Sequence, residues 1–144
     1  MLQIYNSRYW SNEQINRYGK DITLAMKKLE NQFPDDITVH EVAYEIAIGN
    51  QDLWVILDEQ DKFFAFLTTE MTSLPSGKKR LTLCHLAGNG GADIANLLPE
   101  LEKFATQNGA NEICAVGRIG WQKKLTEHGY RAVILKYKKE LKNV

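Results

Sequence analysis

Between the strand-like run Arg80 to Leu86 and an apolar helical stripe that begins at Ile94 lies the sequence Gly88-Asn89-Gly90-Gly91. Glycines lack the Cβ that keeps a main chain away from a ligand. A helix that follows such a turn points its first free N–H groups and the positive end of its dipole toward it. A turn of this kind can hold a phosphate or another oxyanion, and it can equally be a plain glycine-rich turn that ends a strand and holds nothing. Two titratable side chains are candidates for acid–base work: Glu70, which ends the middle strand Phe63–Glu70, and His85, just before the glycines. Glu70 also reads as a solvated strand end. Strict alternation puts His85 on the opposite face from Cys84, which predicts no Cys–His nucleophilic pair from adjacency.

The elements that must position these groups belong to one ordinary globular domain, read as residues 1–144. Hydrophobic residues make up 44% and charged residues 25% of the 144, far from the composition of a disordered chain. Eighteen basic and eighteen acidic residues cancel, so the positive field that binds a phosphate backbone is missing and nucleic acid is not the expected partner. The basic run Lys136, Lys138, Lys139 and Lys142 reads as a solvated edge strand. No apolar run approaches the roughly 18 residues of a membrane span, and Met1-Leu2-Gln3-Ile4-Tyr5 lacks the layout of a signal peptide; the expected location is the cytoplasm. Cys84 and Cys114 fall in strand-like runs and read as reduced core residues, with no zinc or disulfide framework.

Leu2 to Tyr5 reads as a first strand. Ser11-Asn12-Glu13-Gln14 has the form of a capping box, and Ile15, Tyr18, Ile22, Ala25, Met26 and Leu29 form one helical stripe behind it, weakened at Gly19 and ended by Phe33-Pro34. Thr38-Val39-His40-Glu41 is a second box, opening a helix that Gly49 closes; His40 reads as exposed in its first turn. Leu53–Leu57, Phe63–Glu70 and Arg80–Leu86 read as three antiparallel strands. After the glycines, Pro99 requires a helix that begins near Asn96, or one that begins near Ala92 and is kinked. Glu112 to Val116 predicts a strand, Gly120 to Glu127 a short helix, and Tyr130 to Leu141 a last strand alternating through Val133, Leu135 and Tyr137. Trp10, Trp54 and Trp121 read first as packing residues.

This order resembles the GNAT superfamily, the acyl-CoA-dependent N-acyltransferases, over nearly the whole chain. Glu41 to Asp58, with Gly49 and Trp54, is similar to the second helix and the strand it feeds. Gly117-Arg118-Ile119-Gly120-Trp121 with His128-Gly129-Tyr130-Arg131 is similar to the closing helix of a GNAT-like group associated with bacteriophage genomes. The resemblance implies an α/β (α+β) fold with a mixed, mainly antiparallel sheet of about six strands flanked by about four helices.

The resemblance further implies acetyl-CoA lodged in a V-shaped split between Arg80–Leu86 and Glu112–Val116. Its pyrophosphate would meet the loop before the helix at 92–107, so the cofactor-binding residues are Leu86, Ala87, Gly88, Asn89, Gly90 and Gly91, joined by Arg118 and Trp121. His85-Leu86-Ala87-Gly88-Asn89-Gly90 fits the spacing of the family pattern Gln/Arg-x-x-Gly-x-Gly/Ala, with a histidine in the lead position. Leu125 stands where active relatives often carry a tyrosine acid, and Arg118 where they carry an asparagine; leucine can do no acid–base work. Glu70 and His85 are the catalytic candidates, as bases for an ammonium nucleophile. The acceptor would be a primary amine on a small molecule or a protein. The alternative is a catalytically degenerate GNAT-fold protein acting through contacts with a second copy or with a virion protein in the host cytoplasm.

Overall fold

The computed structural model describes residues 1–89, 92–117 and 119–142. Its first long helix, α1 (Asn12–Gln32), begins where the capping box requires. Ser11 Oγ accepts from the Gln14 N–H at 3.2 Å and Gln14 Oε1 accepts from the Ser11 N–H at 2.9 Å, which satisfies donors that a helix start leaves free. Tyr18, Ile22, Ala25, Met26 and Leu29 form the buried stripe. Helix α2 (Val39–Ala47) is capped by Thr38, whose Oγ1 accepts from the Glu41 N–H at 3.1 Å. A further free donor of that helix start, the Val39 N–H, is satisfied from α1: Glu30 Oε1 accepts from it at 3.2 Å, tying the two helices together.

Five strands follow in spatial order as in sequence: β1 (Gln3–Asn6), β2 (Asp52–Leu57), β3 (Phe63–Ser73), β4 (Lys79–Gly88) and β5 (Glu112–Ala115). The first four are antiparallel, and β5 lies parallel to β4. The β2–β3 turn closes on Asp58, whose Oδ1 accepts from the N–H groups of Gln60 and Lys62 at 2.8 and 3.0 Å. On one face α1 and α2 pack over Leu53, Val55, Leu57 and Phe66; on the other, α3 (Leu98–Gln107) and α4 (Gln122–Glu127) pack over Trp54, Leu67, Leu83 and Leu86. β2 and the Ala65–Thr69 stretch of β3 therefore bury both of their faces, as their near-continuous runs demand.

Pro99 is accommodated without a kink. A 3-10 turn spans Ala92–Leu97 and the regular helix starts at Leu98, so the proline sits in the first turn where its missing N–H costs nothing. The tryptophans at 10 and 54 pack: the indole of Trp54 donates to Thr69 Oγ1 at 2.9 Å and meets Phe104 edge-on at 4.8 Å, and Trp10 stacks between Tyr5 and Tyr18. His40 is exposed. Both cysteines are free and half-buried, and no helix among the described residues is long and apolar enough to cross a membrane.

The strand expected over Tyr130–Leu141 is absent, so the sheet has five strands and not about six. Alternation gives a segment two faces; it does not provide the neighbour whose main chain must complete the ladder.

Candidate functional site

Strands β4 and β5 pair over four residues only, Arg80–Leu83 against Glu112–Ala115. β4 continues to Gly88 with β3 beside it, whereas β5 ends and the chain turns away toward α4. Where they part, β4 carries a bulge: Leu83 faces Thr69 and His85 faces Thr68, leaving Cys84 without an opposite number. An extra residue bends the bulged strand and strengthens its twist, which swings the second half of β4 off the line of β5.

The gap between the diverging strands is a cleft of about 920 Å³. Its walls come from both layers of the molecule: Leu29 and Phe33 from the α1 side, Leu98 and Leu101 from α3, Trp121 and Leu125 at α4. A cleft lined from both faces of one sheet passes through it, and only splayed strands permit that. Along Cys84–Gly88 no strand among the described residues occupies the β5 side, so main-chain groups of Cys84–Ala87 that point to that side have no ladder partner there.

Of the residues singled out from the sequence, His85, Leu86, Ala87, Gly88 and Trp121 line this cleft. Gly90, Gly91 and Arg118 lie outside the described residues. Gly88 has a packing reason to be glycine. Its φ is +142°, and a Cβ there would stand 2.5 Å from the Cα of Ala65 and from the carbonyl oxygen of Phe64. The Asn89 N–H donates to that same Phe64 carbonyl at 2.8 Å and is therefore already engaged. Lys28 of α1 reaches the same corner, its Nζ donating to the Gly88 carbonyl at 3.3 Å, and places a positive charge beside the turn.

The bulge also corrects the expected facing of Cys84 and His85. Leu83 and Leu86 both pack against the α3–α4 side although they are three residues apart, so the two residues between them share the other face. His85 lies opposite Thr68, whose neighbours Leu67 and Thr69 point to the α3 side. Cys84 feels the charges of Glu70 and of Glu45 on α2. Burial first, then those two carboxylates, push the Cys84 thiol up to about 11, so it stays protonated and is a poor nucleophile. Burial lowers the pKa of His85, which leaves the imidazole neutral and able to accept a proton. Glu70 lies two ladder positions from Thr68 on β3, opposite Thr82, on the face that Cys84 and His85 share. The apolar spacing Leu83 to Leu86 was the available signal for the bulge, since it breaks a period of two.

No family model matches the chain, and no curated protein matches it in sequence. Solved structures do match its fold. Glucosamine-6-phosphate N-acetyltransferase from Arabidopsis thaliana superposes with a TM-score of 0.67 at 12% identity, covering 97% of this chain and 98% of the other. An aminoglycoside acetyltransferase from an uncultured soil metagenomic sample gives 0.62 at 15%, covering 99% and 96%. The fold is that of the GNAT acetyltransferases. A Bacillus halodurans protein described as a transcriptional regulator matches as well, with a TM-score of 0.64 at 14% identity over 98% of this chain and 100% of that one, and at such identities the likeness fixes the GNAT fold alone. The phage association of the closing helix finds no support in these likenesses.

Proposed function

We propose that this protein transfers an acetyl group from acetyl-CoA to a primary amine. The observation that carries the reading is the through-sheet cleft opened by the bulge at Cys84, with one wall made of unpaired β4 main chain. The chemistry of the cleft suits the ligand: an apolar interior for a flexible arm, main-chain donors and acceptors along β4 to hold it extended, and the Lys28 ammonium beside the turn for a diphosphate. Gly90 and Gly91 are proposed to supply the free amides, since the Asn89 N–H is engaged. Bound acetyl-CoA would supply the activated acyl carbon.

The chain's own residues would do the rest. Main-chain N–H groups of β4 beyond Leu83 are the donors available to polarise a thioester carbonyl. His85, neutral and in the cleft wall, is the proposed base that takes the proton from the incoming ammonium, with Glu70 on the same face as the second candidate. The amine nitrogen bonds to the acyl carbon, the carbon–sulfur bond breaks, and the second proton lost by the nitrogen would pass through water to the sulfur, since Leu125, which lines the cleft, has none to give. Tyr130 does not serve: its phenol donates to Glu102 Oε2 at 2.8 Å, and burial holds its pKa well above the usual range. The protonated Cys84 favours direct attack over an acyl-cysteine.

Leu125 also favours the second reading, a catalytically degenerate GNAT fold that acts through contacts with proteins. Thermal unfolding with and without ligand separates the possibilities. At a hundred times its dissociation constant a ligand stabilises the native state by about 2.7 kcal/mol. A shift with acetyl-CoA together with release of free thiol from an amine mixture supports transfer, and a shift without turnover supports the degenerate reading. Silence of both acetyl-CoA and CoA at millimolar concentration would overturn transfer and leave the second reading.

A further inference from the structure

Thr68 sits in the middle of β3, fully buried, and its Oγ1 has no hydrogen-bond partner among the described residues. A buried hydroxyl is ordinarily bonded, because without a partner it has given up water and gained nothing in return. Packing does not explain it. Its neighbours on that face are Leu53, opposite on β2, and Phe66, two residues back on β3. Valine has the same shape, forms strands as readily, and would meet both without an unpaired oxygen.

On its other side, in β4, stands His85. The two residues are directly opposite in the ladder and share one face of the sheet. Side chains placed in this way have Cβ atoms about 4.5–5.5 Å apart, close enough for a hydroxyl and a ring nitrogen to meet by rotation about side-chain bonds. The imidazole has no hydrogen-bond or ion-pair partner among the described residues. The titratable groups on the elements around it are the Cys84 thiol and Arg80 on β4, Glu70 on β3, Glu45 on α2, Lys28 on α1 and Asp36 in the cleft wall. None of them holds the ring, and burial by itself accounts for its lowered pKa.

A neutral imidazole carries one N–H and one lone pair, and the bond made by one nitrogen decides which atom carries which. A base needs its lone pair toward the cleft. We propose that Thr68 is the positioning residue of His85: its Oγ1 accepts the N–H of the inward ring nitrogen and holds the lone pair of the other toward the cleft. The amine proton then goes to the outward nitrogen, while the inward N–H stays on Thr68 and anchors the imidazolium. The task of this contact rests on the transfer reading, in which His85 is the base. The contact itself needs no ligand and can be measured in the free protein.

Nitrogen-15 NMR on the full chain reads the tautomer directly. Three histidines give imidazole signals, and those of His85 are the ones lost in His85→Asn. Well above the ordinary histidine range of pH, one His85 nitrogen should be protonated and the other bare, with that tautomer in excess by about tenfold, as the net gain of one hydrogen bond allows. Thr68→Val should bring the two nitrogens toward averaged shifts, and Thr68→Ser, which keeps the hydroxyl, should restore the split. Thr68→Ala carries the same comparison if valine is not accommodated. In the transfer reaction, Thr68→Val should lower kcat about tenfold at an unchanged KM for acetyl-CoA, a part of the roughly 10²–10⁴-fold that general-base catalysis supplies, and serine should recover most of it. An equal mixture of tautomers in the native chain, or an excess that Thr68→Val leaves unchanged, would overturn the proposal. A native chain that releases no thiol yet shows the Thr68-dependent split would instead overturn the transfer reading and uphold the contact.

Discussion

The two halves of β4 are one strand in sequence and two different environments in the fold. Arg80–Leu83 has a partner on either side, β3 antiparallel and β5 parallel, with Arg80 Nε donating to Glu112 Oε2 at 2.8 Å across the parallel pair. Cys84–Gly88 keeps only β3, and its other side faces the cleft. One inserted residue separates the halves. The first half holds the sheet together and the second lines the cleft, which teaches that this cleft is made by withdrawing a strand.

The comparison can be broken most severely at Gly88. Gly88→Ala should destabilise the fold by about 3 kcal/mol or more, because the new Cβ meets β3 backbone at 2.5 Å in a conformation that L side chains rarely adopt. Urea unfolding reads the loss, and an unchanged midpoint would mean that β3 and β4 do not approach as described. Next comes Trp121→Ala, which removes an aromatic wall of the cleft. On the proposed function it should weaken acetyl-CoA binding about tenfold, near the 1.4 kcal/mol that a tenfold change in affinity represents. Calorimetric titration measures it, and undiminished affinity would place the ligand elsewhere.

His85 sharpens the comparison through pH. Its folded pKa lies below the ordinary 6.5, so the unfolded chain binds the proton more readily than the native one. The stability this contributes is fully present above pH 6.5 and is lost as pH falls through the lowered folded value. His85→Asn should flatten that acid-side decline in the unfolding midpoint, and it should remove the acid limb of any transfer rate. A decline of the same slope in both proteins would assign it to other groups. The smallest effect is expected in the paired half: Arg80 and Glu112 are both more than a third open to solvent, and an exposed pair of this kind contributes little. Arg80→Ala should leave both the urea midpoint and acetyl-CoA affinity unchanged within error, and a large loss in either would show that the parallel pairing depends on the ion pair.

Legibility followed the range of the interactions. Ser11 with Gln14, and Thr38 with Glu41, are three residues apart and satisfy each helix start locally, so both starts could be read directly. Asp58 closing on Gln60 and Lys62 marks the hairpin for the same reason. The bond from the Val39 N–H to Glu30 could not be read, because it depends on how α1 and α2 dock. The same holds for the Asn89 amide: sequence places it in a glycine turn, and only the fold shows that Phe64 has taken it. Alternation predicted a last strand over Tyr130–Leu141 and misled, since the pattern records two faces and says nothing of a neighbour.

The sequence by itself determined where helices begin, which residues face the core, and that a glycine turn follows β4, because caps, periods and φ preferences act within a few residues. Tertiary structure alone decided that β4 gains a residue against β3 at Cys84, that Cys84 and His85 therefore share a face, and that β5 withdraws to open the cleft. Those outcomes rest on main-chain hydrogen bonds between distant segments, and such bonds are made by groups every residue carries alike.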